Sequence, residues 1–131
     1  MNINGKERHF LLTVDAAEKI GAFCPNGDFN QFMKITDGKT FSEIVDMDLK
    51  IAEILINEYE QNKAIETAGY IPEPVDLSSM NKSSITPFWI RNLEHEMVVT
   101  INRDAFGKIE TEETKEGKKA KKNNTDAGIK A

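Results

Sequence analysis

The sequence predicts a mainly helical α+β domain with an N-terminal β-hairpin and a charged C-terminal tail. Three observations carry that expectation. Asp15-Ala16-Ala17-Glu18 and Thr40-Phe41-Ser42-Glu43 are capping boxes, each followed by apolar residues at helical spacing. Asn4-Gly5 is a favoured dipeptide for a tight hairpin turn, because both central positions take positive φ. Residues 107–131 contain no aromatic side chain, and their large aliphatics, Ile109 and Ile129, lie too far apart to pack together. Such a segment cannot bury enough apolar area to offset its ordering entropy, so a solvated tail is expected.

Taken in order, Lys6–Leu12 reads as the second strand of the hairpin, with Phe10 and Leu12 on one face and His9 and Leu11 on the other. Asp15 is the expected cap of a first helix carrying Ala16, Ile20, Phe23 and Cys24, which Pro25-Asn26-Gly27 ends. Asp28 can cap a short helix bearing Phe29, Phe32 and Met33, broken by Thr36-Asp37-Gly38. The longest helical pattern is Phe41–Thr67. Its apolar stripe is Phe41, Ile44, Val45, Leu49, Ala52, Leu55, Ile56 and Tyr59; Asp46, Asp48, Lys50, Glu53, Asn57, Glu58 and Glu60 are placed on the solvated side, and Gly69 is the expected C-cap. Pro72 and Pro74 make Tyr70–Asp76 a loop, and Leu77–Ser84 can add a turn of helix. Thr86-Pro87 then starts a helix that buries Trp89, Ile90, Leu93, Met97, Ile101 and Ala105, has Phe106 near its end, and stops at Gly107.

The 131 residues therefore divide into one compact domain, 1–106, and a tail, 107–131. The domain holds 10 Lys and Arg against 17 Asp and Glu, a net −7, while the tail holds 7 against 5, a net +2. An acidic body argues against a duplex nucleic-acid surface, which needs clustered cations. A single cysteine, Cys24, allows no internal disulfide and fits a reducing compartment. The first residues lack the basic-then-apolar pattern of a secretion signal, and no apolar run is long enough to span a bilayer. A cytoplasmic protein without membrane contact is expected.

No constellation points to catalysis. His9 and His95 have no cysteine or second histidine nearby in sequence, so neither reads as part of a zinc site, and Glu94-His95-Glu96 reads as a solvated helix face. Cys24 follows a helix rather than opening one, and reads as a small buried apolar residue. No phosphate-binding glycine motif occurs, and Asp46 and Asp48 diverge by about 200° on a helix, which leaves no cofactor or metal to expect. Phe88 and Trp89 are neighbours in a first helical turn and diverge by about 100°, so both cannot point inward. Trp89 is the better core residue; Phe88 is then exposed or laid over the loop at Ile71–Val75. Phe88, Trp89 and Tyr59 are the candidate partner contacts.

The opening Ile3–Leu12, the helix beginning near Asp15, Phe41-Ser42-Glu43-Ile44-Val45-Asp46 before a long helix, and the lysine-rich end together resemble the tail assembly chaperones of long-tailed bacteriophages and prophages of Gram-positive hosts. The likeness spans most of residues 1–106 and is one of layout; Pro72–Pro74 and Cys24–Asp28 are not part of it. The resemblance implies a non-enzymatic protein of the bacterial host cytoplasm that coats the tape measure protein during tail morphogenesis, with the tail tube protein as a further partner and self-association open. It also implies a longer product made by ribosomal frameshifting, and Lys121-Lys122-Asn123 is compatible with slippery codons. The alternative readings are a protein-interaction or adaptor domain of a mobile element, and a small structural tail protein.

Overall fold

The computed structural model describes residues 1–108. The chain opens in an antiparallel hairpin, β1 (Asn2–Ile3) and β2 (Lys6–Glu7), in which Asn2 pairs with Glu7 and Ile3 with Lys6. Asn4 and Gly5 close it at φ 54° and 83°, as these two residue types favour. The second strand is shorter than the alternation predicts. Beyond Glu7 there is no partner strand among the described residues; instead the Leu11 N–H donates to the Leu55 carbonyl across 3.1 Å, while Phe10 and Leu12 turn into the core as expected.

Helix α1 (Val14–Gly21) is capped by Thr13 and not by Asp15. Thr13 has the extended backbone a cap requires, and its hydroxyl accepts from the Ala16 N–H at 3.1 Å. Asp15 lies inside the first turn and pairs with Lys19 at 2.9 Å. Short 3₁₀ segments follow at Pro25–Gly27 and Phe29–Lys34; Asp28 caps the second by accepting from the Asn30 N–H at 2.9 Å.

Helix α2 (Phe41–Glu66) carries both halves of the predicted capping box: the Thr40 hydroxyl takes the Glu43 N–H and the Glu43 carboxylate takes the Thr40 N–H. It ends at Thr67, and Gly69, at φ 84°, serves the turn beyond the cap. Its core face is Val45, Leu49, Ile51, Ala52, Leu55 and Ile56. Phe41 is 59% exposed and Tyr59 half-buried, while Ile51 joins the core. Asp48 and Glu60, expected in solvent, are buried.

The loop after α2 is a strap that returns along that helix toward its start. Pro72 and Pro74 lack N–H groups, and three of the donors left between and after them meet α2. Glu73 N–H donates to the Glu60 carboxylate (2.9 Å), Val75 N–H to the Asn57 side-chain oxygen (2.7 Å), and Leu77 N–H to the Glu53 carboxylate (2.8 Å). Glu60 to Glu53 spans about 10.5 Å of helix axis. Four residues of extended proline-type chain span about 12 Å, so the two registers match. Leu77, fully buried, pins the strap, and Lys82 pairs with Asp46 at 2.7 Å near the start of α2. Within Leu77–Ser84 a turn closed by the Met80 N–H on the Leu77 carbonyl at 3.1 Å precedes a 3₁₀ turn at Lys82–Ser84.

Because the strap has gone back to the beginning of α2, helix α3 (Pro87–Phe106) runs in the same sense as α2. Thr86 caps it by accepting from the Trp89 N–H at 3.1 Å, Pro87 occupies its first turn, and Gly107 ends it at φ 69°. Ile90, Leu93, Met97, Thr100 and Ile101 are its buried residues; Ala105 and Phe106 are exposed, since the last turn overhangs the core. Asp104 and Arg103 clasp the N-terminal segment: the Leu12 N–H donates to Asp104 (2.9 Å) and Arg103 donates to the Phe10 carbonyl (3.1 Å). The result is the expected α+β architecture, three helices with a hairpin at one side. The tail expected over 107–131 lies outside the described residues from 109 onward. Among the described residues no helix is long and apolar enough to cross a membrane.

Candidate protein-binding surface

The Thr40 and Thr86 caps set the first turns of α2 and α3 side by side. Between them opens an apolar cavity of about 160 Å³, lined by Phe41, Val45, Ile85, Pro87 and Ile90, with Lys82 and Ser42 at its rim. Lys82 bridges the rim, donating to the Ser42 hydroxyl at 3.2 Å while it pairs with Asp46. Phe88 follows Pro87 of this lining in sequence and is 73% exposed, and Trp89 is half-buried against the core. The divergence expected of two neighbours on a helix is therefore what separates them. Phe88 does not cover Ile71–Val75, because that part of the strap is bonded to Glu60 and Asn57 toward the other end of α2.

Tyr59 belongs elsewhere. It is 18 residues beyond Phe41, about 27 Å along α2, and its ring is tilted against His9 with centroids 4.9 Å apart. The structure brings Phe88 and Trp89 together and leaves Tyr59 apart from them.

A second apolar hollow, of about 370 Å³, lies at the other end of α3, between Phe29, Phe32 and Met33 on one side and Val98, Ile101 and Phe106 on the other. Met33, Phe106 and Val98 are exposed there. Phe88 and Phe106 are 18 residues apart, a whole number of turns, so they emerge on the same side of α3 about 27 Å from each other. Phe41 is expected in the apolar stripe of its helix and Phe106 near the end of its own. Phe41 opens its helix and Phe106 closes its own, and terminal positions run past the layer they pack on; that is the signal that could have identified them as surface residues.

The polar groups are structural in their bonding. Cys24 is buried, its thiol donating to the Ile20 carbonyl at 3.5 Å, and burial together with the Asp28 charge pushes the thiol up from its ordinary range. Among the described residues no group of three or more His, Cys, Asp or Glu is placed to hold a metal ion. Comparison with protein-family models, with curated proteins and with solved structures finds no match.

Proposed function

We propose that this protein is a non-enzymatic binding protein of the tail assembly chaperone kind, holding a helical client, the tape measure protein, along the outer side of α3. The observation that carries the reading is the pair Phe88 and Phe106, both exposed on one side of that helix, Phe106 lining one apolar hollow and Phe88 next in sequence to Pro87 of the other. Isolated exposed apolar residues are ordinary, but two such hollows at the ends of one helix fit the anchors of an amphipathic helix laid lengthwise. The acidic body, net −7, complements a client whose polar face is basic.

The test is co-expression with a long helical protein encoded downstream, with the soluble fraction of that client as the readout. Wild-type chain should keep the client soluble, and the Phe88→Ser, Phe106→Ser double variant should lower its soluble yield about tenfold, equivalent to about 1.4 kcal/mol of binding. Both side chains are exposed, so the variant should fold normally. Equal client yield with both proteins would remove this surface from the reading. A genomic neighbourhood without tail genes would favour the adaptor reading instead.

A further inference from the structure

The seam between α2 and α3 contains a polar contact that neither the packing nor the client reading requires. Asp48 projects from α2 into that seam and is 95% buried, its relative exposure being 5%. One of its oxygens, Oδ2, is fully enclosed and has no hydrogen-bond partner among the described residues. The group that faces it from α3 is another acid, Glu94, half-buried and close enough for the two carboxyls to share a proton. Two ionised carboxylates cannot hydrogen-bond to each other; one must carry a proton. The nearby charges are engaged or outward. On α2, Asp46 is paired with Lys82 and Lys50 is exposed; on α3, Arg91 and His95 are exposed and Glu96 is half-buried. Glu94 is the charged group acting on Asp48.

We infer that Asp48 and Glu94 form a proton-held latch, in which one shared proton keeps the α2–α3 seam closed and its release loosens the seam beside the apolar cavity. Val45 and Ile90, which line that cavity, precede Asp48 and Glu94 by three and four residues, so the latch lies about one turn further along both helices. The geometry has a direct energetic sense. Burial first, and then the bond to and charge of Glu94, push the Asp48 carboxyl up to about 8. The folded chain therefore keeps a proton that the unfolded chain releases near pH 4. Stability is fully present below that lower value and declines as pH rises toward about 8. A loosened seam exposes Val45 and Ile90, so the latch sets how much apolar surface is offered at the mouth. That last consequence alone rests on the proposed docking role.

The experiment is a side-chain carboxyl carbon-13 titration of the wild-type chain between pH 3 and 10, with thermal unfolding midpoints recorded alongside. Asp48 is expected to titrate near pH 8, and the wild-type midpoint to fall between pH 6 and 9. The Asp48→Asn protein keeps a donor toward Glu94 and should show a flat midpoint over that range; Glu94→Gln should move the Asp48 titration to lower pH. An Asp48 titration in the ordinary aspartate range, or the same decline of the midpoint in Asp48→Asn as in wild type, would overturn the latch. Neither result would depend on a client, so failure of the latch and failure of the chaperone reading remain separable.

Discussion

Helix α2 buries acids on two sides, and the two sides treat them in opposite ways. Toward the strap, the Glu60 carboxylate receives the Tyr70 hydroxyl at 2.5 Å and the Glu73 N–H at 2.9 Å, and lies 3.8 Å from the Arg8 guanidinium. Glu53 receives the Leu77 N–H, the Ser78 N–H and the Ser78 hydroxyl. Toward α3, Asp48 faces another acid and, among the described residues, leaves an oxygen unpartnered. The difference shows that a buried acid holds a fold together only when donors converge on it; without them it has to keep its proton. The strap side is a fastening, and the seam side is a liability held in check.

The contrast can be broken most forcefully at Glu60. Glu60→Ala should cost about 3 kcal/mol, because it takes the carboxylate from the largely buried Arg8, leaving that guanidinium its bond to the Glu73 carbonyl, and removes an acceptor for the strap. Urea unfolding near pH 7 measures it, and a loss under about 1 kcal/mol would mean the strap holds by Leu77 alone. Asp48→Asn should act the other way, stabilising by roughly 2 kcal/mol at pH 8.5 and by little at pH 5, as follows from the direction of the Asp48 shift. A destabilisation across the whole range would show that the seam needs an acid there.

Asp104 sharpens the comparison from a third position. Burial pushes its carboxyl up, but the Arg103 bond and charge and the Leu12 N–H bring it below the ordinary aspartate range. Its contribution is therefore present above the ordinary aspartate value and is lost as pH falls below it, opposite in sign to Asp48. Asp104→Asn should cost about 1.5 kcal/mol at neutral pH and much less near pH 3, read from unfolding curves at the two values. The smallest effect is expected at Tyr70→Phe, a slight fall of the urea midpoint, since Glu60 keeps its other donors when the hydroxyl goes.

Most of the helical frame was legible because its signals are local. Thr40 with Glu43, Thr86 with Pro87, Asn4 with Gly5, and Gly107 each act within a few residues, and each stands where the pattern places it. Asp15 misled because Thr13, two residues earlier, offers the same chemistry with the right backbone. The polar side of α2 misled for a different reason. Asp46, Glu53, Asn57 and Glu60 recur at helical spacing, and such a row is solvated unless another segment lies on it; nothing in the helix announces that the strap does. Asp48 was nearer to being readable: it lies three residues after Val45 and four before Ala52, within the apolar stripe itself. The surface around Phe88 was half visible, since the divergence of Phe88 from Trp89 follows from helix geometry, whereas the hollow at Phe106 depends on where the 3₁₀ segment lands.

The clasp of Arg103 and Asp104 on Phe10 and Leu12 has a consequence in time. It joins residues more than 90 positions apart, so the backbone of Phe10 and Leu12 waits for the end of α3 before these bonds form. The hairpin, α1 and the strapped α2 can order from nearer neighbours as they leave the ribosome. The N-terminal stretch cannot, and until α3 is complete its apolar residues Phe10 and Leu12 lack that clasp. A stalled or shortened chain lacking the final turns of α3 would thus be left open at its beginning, not at the place where it was cut.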